Sequence, residues 1–135
     1  MASMKKIVAV IVIAVAAASI WHLHSRAVEA RREATYREAL APFQRDLRAG
    51  MTREDVRYYL DTKKVMYYPV FYGAGGAWSY EVKIGEEPSY SLVCESWTVY
   101  VAMDFASSGN QIPEPDPLPG DTLNQIRIRK FGTCL

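Results

Sequence analysis

The chain has 135 residues, 50% hydrophobic and 23% charged, with a formal net charge of +1. That length suits one ordinary domain rather than two, and the apolar content excludes a disordered chain. Without Lys5 and Lys6 the remainder carries 14 basic against 15 acidic side chains, a balance that argues against a nucleic-acid binder, which needs a basic face.

Residues 7–23 contain no charged side chain, and Ser19 and His22 are their only polar members. A helix of that length spans about 25 Å, just short of a hydrocarbon core. With Lys5 and Lys6 ahead of it, the run reads as an uncleaved signal anchor with Trp21 at the interface, or as a signal peptide cleaved near Ala16-Ala17-Ala18. Residues 1–24 therefore form the membrane segment, in contact with the bilayer through residues 7–23. The short basic N-terminus favours a cytoplasmic start, so residues 25–135 are expected outside the cytoplasm of a bacterium, carried on a single pass through the inner membrane. Cleavage would instead release them as a periplasmic or secreted form.

Residues 25–41 are rich in alanine and pair Glu33 with Arg37, and Glu29 with Arg32, at helical spacing. They read as a solvated helical stalk over residues 25–42, with Pro42 ending or kinking it. A second, short helix is expected over residues 43–49, and Gly50 suits the left-handed position after a helix end. Thr52 and Asp55 then stand at the N-cap and N3 positions of a capping box, with Met51 and Val56 placed as a hydrophobic staple. The helix that follows, from Arg53 to about Leu60, presents Val56, Tyr59 and Leu60 on one face.

The remainder reads as strands. Residues 64–72 are rich in Val, Tyr and Phe, but Pro69 confines them to an edge strand or extended loop. The glycine-rich residues 73–76 read as a turn. Residues 78–84 alternate, with Trp78, Tyr80, Val82 and Ile84 on one face and Ser79, Glu81 and Lys83 on the other. A loop is expected over residues 85–91. Alternation resumes over residues 97–105, where Trp97, Val99, Val101, Met103 and Phe105 oppose Thr98, Tyr100, Ala102 and Asp104. A turn at residues 107–110 and a proline-rich loop at residues 112–120 lead to a last strand, residues 123–131, which buries Ile126 and Ile128 and exposes Arg127 and Arg129. Period-two alternation implies an antiparallel sheet with one face buried under helices. Its other face should be charged and half exposed, with Glu81, Lys83, Asp104, Arg127 and Arg129 there. The expected fold is α+β: two short helices packed on one face of a three- to four-stranded antiparallel sheet, in a domain of residues 43–135.

The two cysteines, Cys94 and Cys134, suggest a disulfide in an exported domain, although two buried thiols satisfy the same count. No lipid-attachment cysteine follows the apolar run.

The stretch from Leu47 to Leu60, with Gly50-Met51-Thr52 opening a helix that turns Val56 and Leu60 inward, resembles the signature of the SmpA/OmlA (BamE-like) family. Trp78-Ser79-Tyr80 resembles that family's first-strand Trp-x-Tyr. Phe105-Ala106-Ser107-Ser108-Gly109 resembles the turn after its second strand. The resemblance spans residues 43–131 and implies a small ααβββ domain of the bacterial envelope. The family's type member is a lipoprotein subunit of the machinery that inserts outer-membrane β-barrels. Asp61-Thr62-Lys63 replaces the family's Gly-Thr-Pro, and the proline-rich insert separates the last two strands.

No nucleophile, phosphate-cradling or metal-ligand motif is present. His22 and His24 lie at the membrane end, and Glu86/Glu87 and Glu114/Asp116 read as loop charges without a perturbing pocket. No cofactor and no catalysis are expected. Twelve of the 16 aromatic residues lie between Tyr58 and Phe105. Tyr59, Trp78, Tyr80, Trp97 and Phe105 are read as core, whereas Tyr67, Tyr68, Phe71 and Tyr72 are too many for one edge segment to bury and form a candidate interaction surface. The sequence thus points to a membrane-anchored accessory module that binds another envelope protein. The alternative is a soluble secreted inhibitor or ligand-binding module of the same fold.

Overall fold

A computed structural model describes residues 2–73, 77–89, 92–106 and 120–134. The chain forms two compact units, Met1–Arg37 and Glu38–Leu135. Its elements follow in the order α1 (Ala2–Asp46), α2 (Arg53–Thr62), β1 (Tyr68–Tyr72), β2 (Ala77–Pro88), β3 (Cys94–Ala106) and β4 (Thr122–Cys134). Most of the glycine-rich turn, the turn at residues 107–110 and nearly all of the proline-rich segment lie outside the described residues.

The first unit is helical, and residues 4–31 are exposed on every face. Over residues 7–23 the helix is apolar on every face with no buried stripe, unlike the amphipathic helix of a soluble core. By length and composition it can cross a membrane.

Pro42 neither ends α1 nor separates a second helix over residues 43–49; it sits inside one continuous helix that stops at Asp46. A single proline removes one backbone hydrogen bond. Leu40, Phe43 and Leu47, at i, i+3 and i+7, pack on the core and outweigh that loss. Gly50 then takes φ +91°, as the turn requires.

In the second unit the sheet is antiparallel in the order β1-β2-β3-β4. Val56 and Leu60 of α2, with Phe43 and Leu47, meet Tyr80, Val82, Val101, Met103, Phe105 and Leu123 on one sheet face. Val56, Leu60, Val101 and Met103 are fully buried, which stabilises the fold by about 1.5–3 kcal/mol for each side chain. α2 begins with the expected capping box: Thr52 Oγ1 accepts from the Asp55 amide at 3.1 Å, and Asp55 Oδ2 accepts from the Thr52 amide at 3.3 Å.

β1 is a short edge strand that accommodates Pro69. β2 corrects the expected loop at residues 85–91, since it continues to Pro88. A register shift between Lys83 and Gly85 absorbs one residue and lets pairing with β3 resume. The adjacent acids then find strand partners: Glu86 pairs with Lys83, and Glu87 meets Lys130 Nζ at 3.0 Å. Trp97, expected in the core, is 37% exposed, because it lies near the end of β3 beyond the reach of the helices.

Candidate functional site

The sheet face turned away from α2 carries the densest polar arrangement among the described residues. Pairing places Tyr68 beside Glu81, Ser79 beside Asp104, Tyr100 beside Arg129 and Thr98 beside Phe131, so these side chains share that face. β2, β3 and β4 run 12, 13 and 13 residues. Right-handed twist accumulates over such strands and lifts diagonal corners of a sheet toward each other. Tyr72 at the end of β1 and Phe131 near the end of β4 therefore meet across two intervening strands, stacked with ring centroids 6.4 Å apart and planes 12° from parallel.

Beneath these rings lies Arg129. Its Nη1 donates to Glu81 Oε1 at 2.8 Å and to the Tyr72 hydroxyl at 3.0 Å, and its Nη2 donates to Asp104 Oδ1 at 2.6 Å. The Tyr72 hydroxyl in turn donates to Glu81 Oε1 at 2.6 Å. The guanidinium carbon lies 4.8 Å from the Tyr72 ring centroid, a cation–π contact. Arg127 Nε and Gln125 Nε2 add bonds of 2.9 and 3.2 Å to Asp104 Oδ2.

Side-chain exposure is 15% for Arg129, 5% for Glu81 and 14% for Asp104. The half-exposed charged face expected from alternation is thus a covered ion-pair cluster, because the twist supplies a roof that a flat sheet lacks. Arg127 stands at its exposed rim, 53% exposed.

The electrostatics fix Tyr72 and Asp104 each in one state. Burial first, then the hydrogen bond to Glu81, pushes the Tyr72 hydroxyl up to about 12. Burial opposes ionisation of Asp104, but the Ser79 hydroxyl and Arg129 outweigh it and hold the carboxyl below its ordinary 3.8. Near neutral pH Asp104 stays charged and Tyr72 stays protonated, so neither is poised for proton transfer. An open groove of about 400 Å³ lies beside the cluster, bounded by Tyr72, Asp104, Gln125, Arg127 and Phe131. Among the described residues no group of three His, Cys, Asp or Glu side chains could hold a metal ion.

The four aromatics of the candidate surface divide between faces. Tyr67 packs on Tyr80 and Phe71 on Trp78, with centroids 5.0 and 5.3 Å apart, on the α2 side. Tyr72 belongs to the ion-pair cluster. Tyr68 stays largely outward, 48% exposed, near Met66 at 76%. They do not form one patch, because neighbouring residues of a strand point to opposite faces.

The Gly50-Met51-Thr52 turn docks on the start of β4. The Gly50 amide donates to the Leu123 carbonyl at 2.8 Å, the Leu123 amide to the Met51 carbonyl at 2.7 Å, and Thr52 bridges Thr122. Arg53, which sequence reasoning placed without remark at the helix start, is fully buried over Trp78 and 3.4 Å from Asp121. No local pattern signals that burial. Cys94 and Cys134, opposite each other at the end of the β3–β4 ladder, are joined as a disulfide closing 40 residues. In the chain-entropy model such a loop stabilises by about 4 kcal/mol.

No family model, no curated protein and no solved structure matches this chain. The likeness to the SmpA/OmlA family rests on its motifs alone.

Proposed function

We propose that this protein is a non-catalytic, membrane-anchored module whose C-terminal domain lies outside the cytoplasm of a bacterium and binds another envelope protein as an assembly accessory. The observation that carries this reading is an exposed apolar helix at the start of a chain whose domain holds an oxidised cysteine pair. Disulfides persist in oxidising compartments, which supports a domain beyond the inner membrane rather than in the cytoplasm. The SmpA/OmlA-like motif supports the accessory role, with the Gly50–Thr52 turn tying α2 to β4 as a structural clamp.

Of the aromatic candidates, Tyr68 is the one free to meet a partner, and Met66 extends its apolar surface. The test is a photo-crosslinker placed at Tyr68 or Met66 in the full-length protein within native membranes. One discrete protein adduct from these positions, absent from a probe at Glu29, is the expected result. No adduct from either position contradicts this surface.

A further inference from the structure

The end of β4 is held differently from its middle. Ser96 faces Thr133, the register then shifts past Glu95, and the last pair in the ladder is Cys94 with Cys134. Beyond that irregularity the strand end is fixed by the covalent bond. β4 is an edge strand, so among the described residues no second ladder supports its end. The sulfur also takes part in packing. A Cβ built on Gly132 would lie 2.9 Å from Cys134 Sγ and 3.2 Å from the Trp97 ring, so both occupy the space a side chain would need. One residue further in is Phe131, whose ring covers Tyr72 and lies 6.0 Å from the Arg129 guanidinium carbon.

We propose that the Cys94–Cys134 disulfide is a redox-sensitive latch that keeps the end of β4, and with it the Phe131 ring, seated over Tyr72 and Arg129. Cys134 is exposed and Cys94 half-buried, so a dithiol can reach the bond. A thiolate of the dithiol attacks Cys134 Sγ, the S–S bond breaks, and Cys94 leaves as the thiolate. The second thiol of the donor then displaces Cys134 from the mixed disulfide. Two electrons and two protons pass to Cys94 and Cys134, and the donor ends as a disulfide. The two thiol sulfurs cannot remain at bonding separation. Trp97 fills the Gly132 side, so the strand end moves outward, and an edge strand paired on one side only opens locally at low cost. Departure of Phe131 removes half of the aromatic roof and brings water to the Glu81–Arg129 pair.

The experiment compares full-length protein in detergent micelles, oxidised and after treatment with dithiothreitol, by amide hydrogen exchange and by spectroscopic titration of Tyr72. Reduction should speed exchange at residues 131–133 by about tenfold or more. It should leave Val101 and Ile126 unchanged and lower the pH at which Tyr72 titrates. A smaller change at residues 131–133 overturns the proposal. So does faster exchange throughout the sheet, which would mean general destabilisation. The double variant Cys94→Ser/Cys134→Ser should behave as the reduced form without any dithiol; oxidised-like exchange in it refutes the latch. Phe131→Ala with the disulfide intact should lower the Tyr72 titration while residues 132–133 stay protected. An unmoved Tyr72 would remove Phe131 from the device.

Discussion

The two faces of the sheet are built from the same strands by opposite means. Under α2, burial is apolar: Val101, Met103 and Leu60 are fully enclosed and need no directional partner. On the other face, burial is polar: Arg129, Glu81, Asp104 and Tyr72 are enclosed because each is hydrogen-bonded to another. The apolar face should lose stability in proportion to the volume removed from it. The polar face should lose most when one member is removed alone, since its partners are then left covered and unpaired.

The largest expected effect belongs to the apolar face. Leu60→Ala should cost about 3 kcal/mol in urea unfolding, by lost transfer energy and a residual cavity. On the polar face, Arg129→Ala should cost about 2–3 kcal/mol near neutral pH, by leaving Glu81 covered without its cation and Asp104 with only the exposed Arg127. Replacing Arg129, Glu81 and Asp104 together by Met, Leu and Leu should cost less than Arg129→Ala alone, and a larger cost would erase the distinction between the faces. The Asp104 carboxyl sits below its ordinary 3.8, so its contribution is complete above that pH and lost as pH falls through the folded value. Unfolding followed from pH 6 down to pH 2 should therefore show the gap between wild type and Arg129→Ala closing.

A smaller effect separates the hydroxyl of Tyr72 from its ring. Tyr72→Phe keeps the stack on Phe131 and should cost about 1 kcal/mol. The Tyr72 hydroxyl is raised from 10.0 to about 12, so its contribution is complete below pH 10 and lost as pH rises through 12. The variant should lack that alkaline loss in a pH-dependent melt. The smallest effect is Arg127→Ala, about 0.5 kcal/mol or less, because this member of the cluster is mostly solvated.

Much of the apolar face was legible because it depends on local periodicity. Tyr80, Val82, Val101 and Met103 announce themselves by alternation, and Thr52 and Asp55 by spacing. Pro42 misled because a helix breaker acts locally, whereas Leu40, Phe43 and Leu47 hold α1 together through contacts distant in sequence. The polar face was half legible. Alternation places Glu81, Asp104 and Arg129 on one side, but their enclosure depends on Tyr72 and Phe131, 59 positions apart, meeting through sheet twist. The tight packing of Arg53 over Trp78 is likewise a product of tertiary closure.

The most direct test of an anchored and oxidised protein is the intact mass of the native chain, unreduced, from separated membrane and soluble fractions. The expected result is a full-length chain in the membrane fraction, two hydrogens lighter than its dithiol form. A chain lacking its first 16–18 residues in the soluble fraction, or a full-length chain with both thiols free, would contradict it.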